Sequence, residues 1–303
     1  MESYRDVGRK LSNWNRWGPD DELGTINHIT PQRRLAAAGL VRRGVTFDLG
    51  IPFSPDGPQP GGQRANPVHL MRETGHEQTF PTGLRFADDV VFMALQCATQ
   101  WDALSHVYYD DQLYNGYPAS SIDSFGASRN AVDKLGRDIA GRGVLLDVAR
   151  LHGVDHLPAR HVVTPDELDR AAELQGVSVG PGDVLLLRTG WRRVFTETGD
   201  PALFMADEPG IGLAACEWLH GKDVAAVAAD NWALEVLPGE TDELLPVHCV
   251  LIRDMGMPIG EIFDFEALAA DCAEDGVWEF LFVGPALKFA RAVGSPVNPL
   301  AIK

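Results

Sequence analysis

The spacing of apolar and polar positions changes period along the chain, and each change marks an element. TPDELDRAAELQG (164–176) predicts a helix with Thr164 as its cap, Pro165 at its first position and Glu167 closing a capping box. PQRRLAAAGL, opened by Thr30 and Pro31, predicts a short helix, and DFEALAADCAEDG (264–276) a capped amphipathic one. The continuous apolar runs in GVLLDVA (143–149), in GPGDVLLLRTG (180–190) after its turn, and in VWEFLFVG (277–284) predict strands. GIGLAACEWLHGKDVAAVAAD (210–230) reads as helix, turn and strand, and DVVFMALQ (89–96) as a buried strand. The short run in HCVLIRDMG (248–256) fits either a helix or a strand. Residues 52–85, rich in Pro and Gly, predict a long excursion between strands, while the aromatic anchors of residues 11–30 predict an ordered arm with Trp14 and Trp17 packed on the body or at an interface. Helices alternate with strands, which is the pattern of an α/β chain. No fixed-period repeat or low-complexity linker divides it, so one domain over 1–303 with an N-terminal arm of about 1–30 is expected.

Composition narrows the partners. With 303 residues, 45% of them hydrophobic, the chain is long enough for a large core. Its net charge of -17, without a compensating basic patch, argues against nucleic acid and anionic membranes and leaves a small molecule as the expected substrate. No apolar run approaches the roughly 20 residues of a membrane span. Four scattered cysteines without a CxxC read as free thiols, and MESYRDVGRKLSNW lacks the apolar stretch of a signal peptide, so a soluble cytoplasmic protein is expected. Dinucleotide and triphosphate loops are absent, and GASRN around Ser128 is not a GxSxG elbow.

The densest candidate chemistry lies in CATQWDALSHV. Asp102 and His106, four apart, share a face if helical, and a strand end followed by a turn brings them together equally well. Such a pair either binds a metal or moves protons, or is an Asp–His hydrogen bond that ties down a loop. In HCVLIRDMGMPIGE, His248 and Glu261 supply a second imidazole and a second carboxylate, and the four together suit Zn²⁺ or Mn²⁺. Trp101, Tyr108 and Tyr109 flank the first cluster as an aromatic wall, with core packing the alternative for Trp101. His152, His156 and His161 sit in a Gly- and Pro-containing loop without a nearby carboxylate pattern and are expected to pack loops or face solvent. His28 is expected to be structural. Asp230, Asn231, Trp232 and Glu235 follow a strand, from which side chains enter clefts; Asp230 is expected to cap a turn and Trp232 to plug a gap.

SNWNRWGPDDELGTINHIT, TQWDALSHVYYDDQLYNG, GVLLDVAR, GDVLLLRTGW and HCVLIRDMGMPIGE together make the chain resemble the putative cyclase family of metal-dependent hydrolases, which includes bacterial kynurenine formamidase and isatin hydrolase. The family signature HxGTHxDxPxH falls on QCATQWDALSH (96–106), with Asp102 and His106 matched, Gln96 and Gln100 at the first two histidines, Ala98 at the glycine and Leu104 at the proline. The resemblance implies a swivelling β/β/α fold and a divalent metal, Zn or Mn, held by Asp102, His106, His248 and Glu261. Gln100 is then a neutral ligand or an orienting donor, and since amides bind first-row metals more weakly than imidazole, one ion is expected rather than two. The implied reaction is hydrolysis of a small amide, cyclic amide, ester or lactone, with His106, Asp102 or Glu261 moving protons and Trp101, Tyr108 and Gln96 lining the pocket. It also implies a homodimer or homotetramer. Lyase or isomerase chemistry through an enolate, and a metal-free binding protein, are the alternatives.

Overall fold

The computed structural model describes residues 2–62, 64–77 and 79–303. Aliphatic side chains on both faces of Ala140–Asp147, Val184–Arg188 and Ala226–Ala229 let these strands pair in parallel, in that order, and with Ile259–Glu261 parallel beside the last they form the centre of a nine-stranded sheet. Parallel strands are buried on both sides, which is why their sequences run apolar without alternation. Antiparallel strands extend both flanks. Glu279–Val283, Leu300–Ile302 and Thr46–Asp48 lie beyond Ala140–Asp147, and Gln100–Asp102 followed by Gly294–Pro296 lies beyond Ile259–Glu261.

Side chains of successive residues go to opposite faces. Leu146, Leu185, Leu187 and Val227 join Leu168 and Ala171 of the helix Pro165–Gln175 and Leu219 of the helix Ala214–Gly221 in one core. Leu145, Val184, Leu186 and Ala228 join Trp101, Phe263, Phe280 and Phe282 in the other, under Leu268 and Cys272 of the helix Glu266–Asp275. The four cysteines are buried and free. No helix among the described residues is long and apolar enough to cross a membrane.

The caps read at Thr164 and Thr30 are formed, while the helix Glu266–Asp275 begins after Phe265 without a side-chain cap. Thr164 Oγ1 accepts from Glu167 N, and Glu167 Oε2 accepts from Thr164 N at 2.8 Å. Thr30 caps the helix Pro31–Ala38 in the same way. The ambiguous run after Pro246 is helical. It widens after His248, so that Met255 N donates to Val250 O at 2.9 Å, a five-residue step of the kind that reshapes a helix at a site. The N-terminal arm begins with the helix Tyr4–Leu11 and clasps the stretch that follows it: Asn13 Nδ2 donates to Met255 O, Trp14 Nε1 to Arg253 O and Thr25 N to Gly256 O, each at 2.8–2.9 Å. Tyr114 also turns to the arm, donating to Asp21.

The expectation of a buried strand over 89–96 is corrected. Asp88–Phe92 is exposed along its length and pairs with Val68–Glu73 in a hairpin outside the main sheet. Cross-strand pairs Val68↔Phe92 and Leu70↔Val90 place four apolar side chains together on one exposed face. A short apolar run does not report what covers it.

Gly260 has a packing role. It lies opposite Trp101, and a Cβ there would sit 2.6 Å from Ala228 Cβ and 2.9 Å from Trp101 Cζ3. Gly260→Ala is therefore expected to cost about 1–3 kcal/mol through overpacking, read as a lower urea midpoint at unchanged slope. A midpoint equal to that of the parent would contradict the tight approach.

Candidate metal centre

Strands Gln100–Asp102 and Ile259–Glu261 are antiparallel, with Gln100 opposite Glu261 and Asp102 opposite Ile259. The two-residue period then sends Gln100, Asp102 and Glu261 to one face and Trp101 to the other. Helix formation from Pro246 brings His248 onto the same face. Donor atoms of Asp102, His248 and Glu261 lie within 4.8 Å of one another, and all three residues are buried.

Each member of this trio has a distinct electrostatic situation. Both Asp102 oxygens are buried without a hydrogen-bond partner, and burial, followed by the charge of Glu261, pushes its carboxyl well above the usual range. Glu261 Oε2 accepts from Gln100 Nε2 at 2.5 Å, and its Oε1 lies 3.1 Å from His248 Nε2. His248 Nδ1 donates to Glu235, which also accepts from the backbone N–H of Val247 and His248 at 3.2 and 3.0 Å. Burial opposes charge on His248, but the hydrogen bonds to Glu235 and Glu261 outweigh it and push its pKa up to about 10. With Nδ1–H committed to Glu235, the Nε2 lone pair of His248 is the one that a divalent cation held by these three groups would use in place of a proton.

A buried carboxylate without a donor is costly unless a cation meets it. The donor set of one imidazole and two carboxylates, with the unpartnered Asp102 oxygens and the unpartnered Gln100 Oε1 beside them, fits one divalent ion of the Zn or Mn type.

His106 stands next to the trio, outside its tight cluster. The strand ends at Asp102 and a turn closed by His106 N to Ala103 O at 2.9 Å brings the imidazole back, so strand and turn, and not a helix, join the pair. Its Nε2 is 3.7 Å from Asp102 Oδ2 and 3.3 Å from Arg64 Nη2. A guanidinium only donates, so Nε2 accepts and Nδ1 carries the hydrogen. Burial, then the positive charges of Arg64 and His248, lower the His106 pKa to about 3. Arg64 also lies 5.4 Å from the centre of the Trp232 ring.

Of the expected pocket residues, Trp101 is elsewhere. Its ring packs edge-on to Phe263 and Phe282, and its Nε1 donates to Gly284 O at 2.8 Å, the consequence of strand alternation. Tyr108 is exposed, and the Gln96 amide lies against Gly294, on the strand paired with Asp102. Asp230 ties a turn, accepting from Thr189 N, Thr189 Oγ1 and Gly190 N; burial raises its pKa to about 6 despite these bonds. Two residues carry no local sequence signal. Glu208, fully buried, accepts from Trp232 N and Ala233 N at 2.5 and 2.8 Å and so shapes the turn that presents Glu235. Arg64 comes from the Pro- and Gly-rich excursion.

The family profile described as Putative cyclase matches residues 47–236. The chain belongs to the putative cyclase family. A crystal structure described as a novel cyclase is 41% identical to this family member, covers 96% of it and 99% of its own chain, and superposes with a TM-score of 0.90. Isatin hydrolase A from Ralstonia solanacearum is 20% identical over 90% of this cyclase-family chain and 97% of its own, with a TM-score of 0.63. A potential metal-dependent hydrolase with cyclase activity is 16% identical over 85% and 98%, with a TM-score of 0.53. These last two likenesses are of fold. No curated protein matches the chain significantly.

Removing the Asp102 charge separates a metal ligand from a structural acid. In metal-stripped protein, Asp102→Asn is expected to leave stability unchanged or raise it by about 1–3 kcal/mol, because an uncompensated buried carboxyl is gone. The same variant is expected to lose the rise in Tm that Zn²⁺ gives the parent through this centre. A marked loss of stability in the stripped protein would show that Asp102 is satisfied without an ion.

Proposed function

We propose that this chain is a metal-dependent hydrolase that cleaves a carbon–nitrogen or carbon–oxygen bond in a small amide, cyclic amide, ester or lactone, with the amide favoured. The observation that carries the reading is the unpartnered, buried Asp102 carboxylate facing His248 and Glu261. Family membership supports it, as does the fold shared with proteins named isatin hydrolase and metal-dependent hydrolase.

Asp102, His248 and Glu261 hold one ion, Zn²⁺ or Mn²⁺, with Gln100 fixing Glu261 through its amide N–H and His106 completing the rim. When bound, the ion supplies Lewis acidity for a carbonyl oxygen and makes water more acidic. Glu235 keeps the His248 ring oriented. Arg64 turns from His106 to a substrate oxygen, which frees the Nε2 lone pair of a neutral imidazole. With the Arg64 charge withdrawn, one of the causes that lower the His106 pKa is removed, and that nitrogen relays the proton of the attacking water to the leaving nitrogen or oxygen. Two carboxylates neutralise a divalent ion, so the centre suits a neutral acyl group. The reading takes a small-molecule substrate and a homodimer or homotetramer as the working form, supported by the apolar hairpin face of Val68, Leu70, Val90 and Phe92.

A panel of N-formyl amines, cyclic imides and lactones assayed in ¹⁸O-labelled water tests this. Activity is expected to disappear after chelation and return with Zn²⁺ or Mn²⁺, and the product carboxylate is expected to carry one labelled oxygen. A product formed without label would overturn hydrolysis, and activity indifferent to chelation would overturn the metal. Within an active protein, His106→Ala is expected to lower kcat by about 10²–10⁴ with a smaller change in KM. Glu235→Gln is expected to weaken metal affinity by about 10–100-fold, as measured by competition with a chelating dye.

A further inference from the structure

We propose that His152, His161 and Glu167 form a second site on the other side of the chain's chemistry, one that binds a divalent transition-metal ion such as zinc and clamps a strand ladder leading to Glu235. The Nε2 atoms of His152 and His161 lie 2.6 and 2.8 Å from the same oxygen, Glu167 Oε1. One donor atom from each of the three residues falls within 4.8 Å of the other two. The rings meet edge to face with centroids 5.1 Å apart.

The carboxylate is aimed in advance. Glu167 Oε2 is held by Thr164 N and Thr164 Oγ1 at 2.8 and 2.9 Å in the capping box, which leaves Oε1 to the two imidazoles. The ligands come from three separate elements: His152 ends the short helix Val148–Leu151, His161 precedes the strand Val162–Val163, and Glu167 lies in the first turn of Pro165–Gln175. The carboxylate arrives from that helix, six residues past His161, and not from Asp155 of the histidine loop itself. The His152 and His161 side chains are 34% and 24% exposed, so the solvent side leaves room for water as a fourth ligand.

Two imidazoles, one carboxylate and water are a donor set that zinc accepts. In the ion-free arrangement each ring donates Nε2–H to Glu167. To hold an ion, each ring would offer its Nε2 lone pair, with its ring hydrogen on Nδ1. The ion would act at a distance through the backbone. His161 O accepts from Gly210 N at 3.0 Å, and Val162–Val163 pairs in parallel with Gly210–Ile211. Ile211 in turn bridges to Glu235, the carboxylate that orients His248.

The test uses chelator-stripped full-length protein dialysed against low-micromolar free Zn²⁺, with bound metal counted by mass spectrometry. The parent is expected to retain one more zinc per chain than the double variant His152→Gln/His161→Gln, whose amides still hydrogen-bond Glu167. Equal uptake by the two overturns the proposal. Asp102→Asn, which removes a ligand of the other centre, is expected to keep this ion, to gain Tm on zinc addition, and to show visible Co²⁺ absorption that disappears when the histidine substitutions are added. Asp102→Asn protein that takes up neither Zn²⁺ nor Co²⁺ also overturns it, whatever the folding of the double variant. Failure of the proposed hydrolase centre leaves these outcomes unchanged, because they do not depend on turnover.

Discussion

The pairing of Gln100–Asp102 with Ile259–Glu261 sets a condition that the surrounding structure has to satisfy. Its register turns two carboxylates and an amide toward one buried face and places Trp101 and Gly260 back to back on the other. A one-residue slip would exchange the faces, sending Trp101 into the polar cluster and Asp102 into the aromatic core. Close contact between Gly260 and Trp101 opposes that slip. The same packing that stabilises the sheet therefore fixes the direction of the candidate ligands, and core and centre are two sides of one strand pair.

Charge on the polar face is arranged in layers. Glu208 shapes the turn after the 226–229 strand, that turn presents Glu235, Glu235 orients His248, and His248 faces Glu261. Each carboxylate in this series accepts from a backbone or side-chain donor except Asp102, where the series ends. The N-terminal arm supports the layers from outside through Asn13, Trp14 and Thr25, which hold the backbone between His248 and Glu261. Its bonds go to carbonyl groups at the end of a widened turn, where regular helical N–H donors are missing.

Elements governed by local chemistry were legible in the sequence. The helix at 165–175, with its Thr, Pro and Glu at fixed offsets, and the strands at 140–147, 184–188 and 226–229, with continuous aliphatic runs, follow from caps and periodicity alone, whereas the short strand at 259–261 does not. Asp102, His248 and Glu261 stood out once the family resemblance aligned them, and the structure brings these three together with His106 at the rim. Trp101 was misplaced as a pocket wall because the identity of a side chain does not report its face until the strand is placed. The 88–92 strand was misread for a related reason: Val90, Val91 and Phe92 have the composition of a core strand and lie on an exposed hairpin. Arg64 and Glu208 were illegible because their roles depend on contacts with residues far away in sequence.

Glutamine at position 100 has a structural consequence of its own. An imidazole there can share or compete for a cation, whereas the Gln100 amide donates to Glu261 Oε2 and leaves Oε1 directed at His248. Gln100 thus orients a candidate ligand while adding no charge. Asp102 and Glu261 would together balance the charge of one divalent ion, and Arg64, near Trp232 and bonded to a neutral imidazole, places a positive charge at the rim. A guanidinium at that position can stabilise negative charge developing on an oxygen but cannot acidify water as a metal ion would.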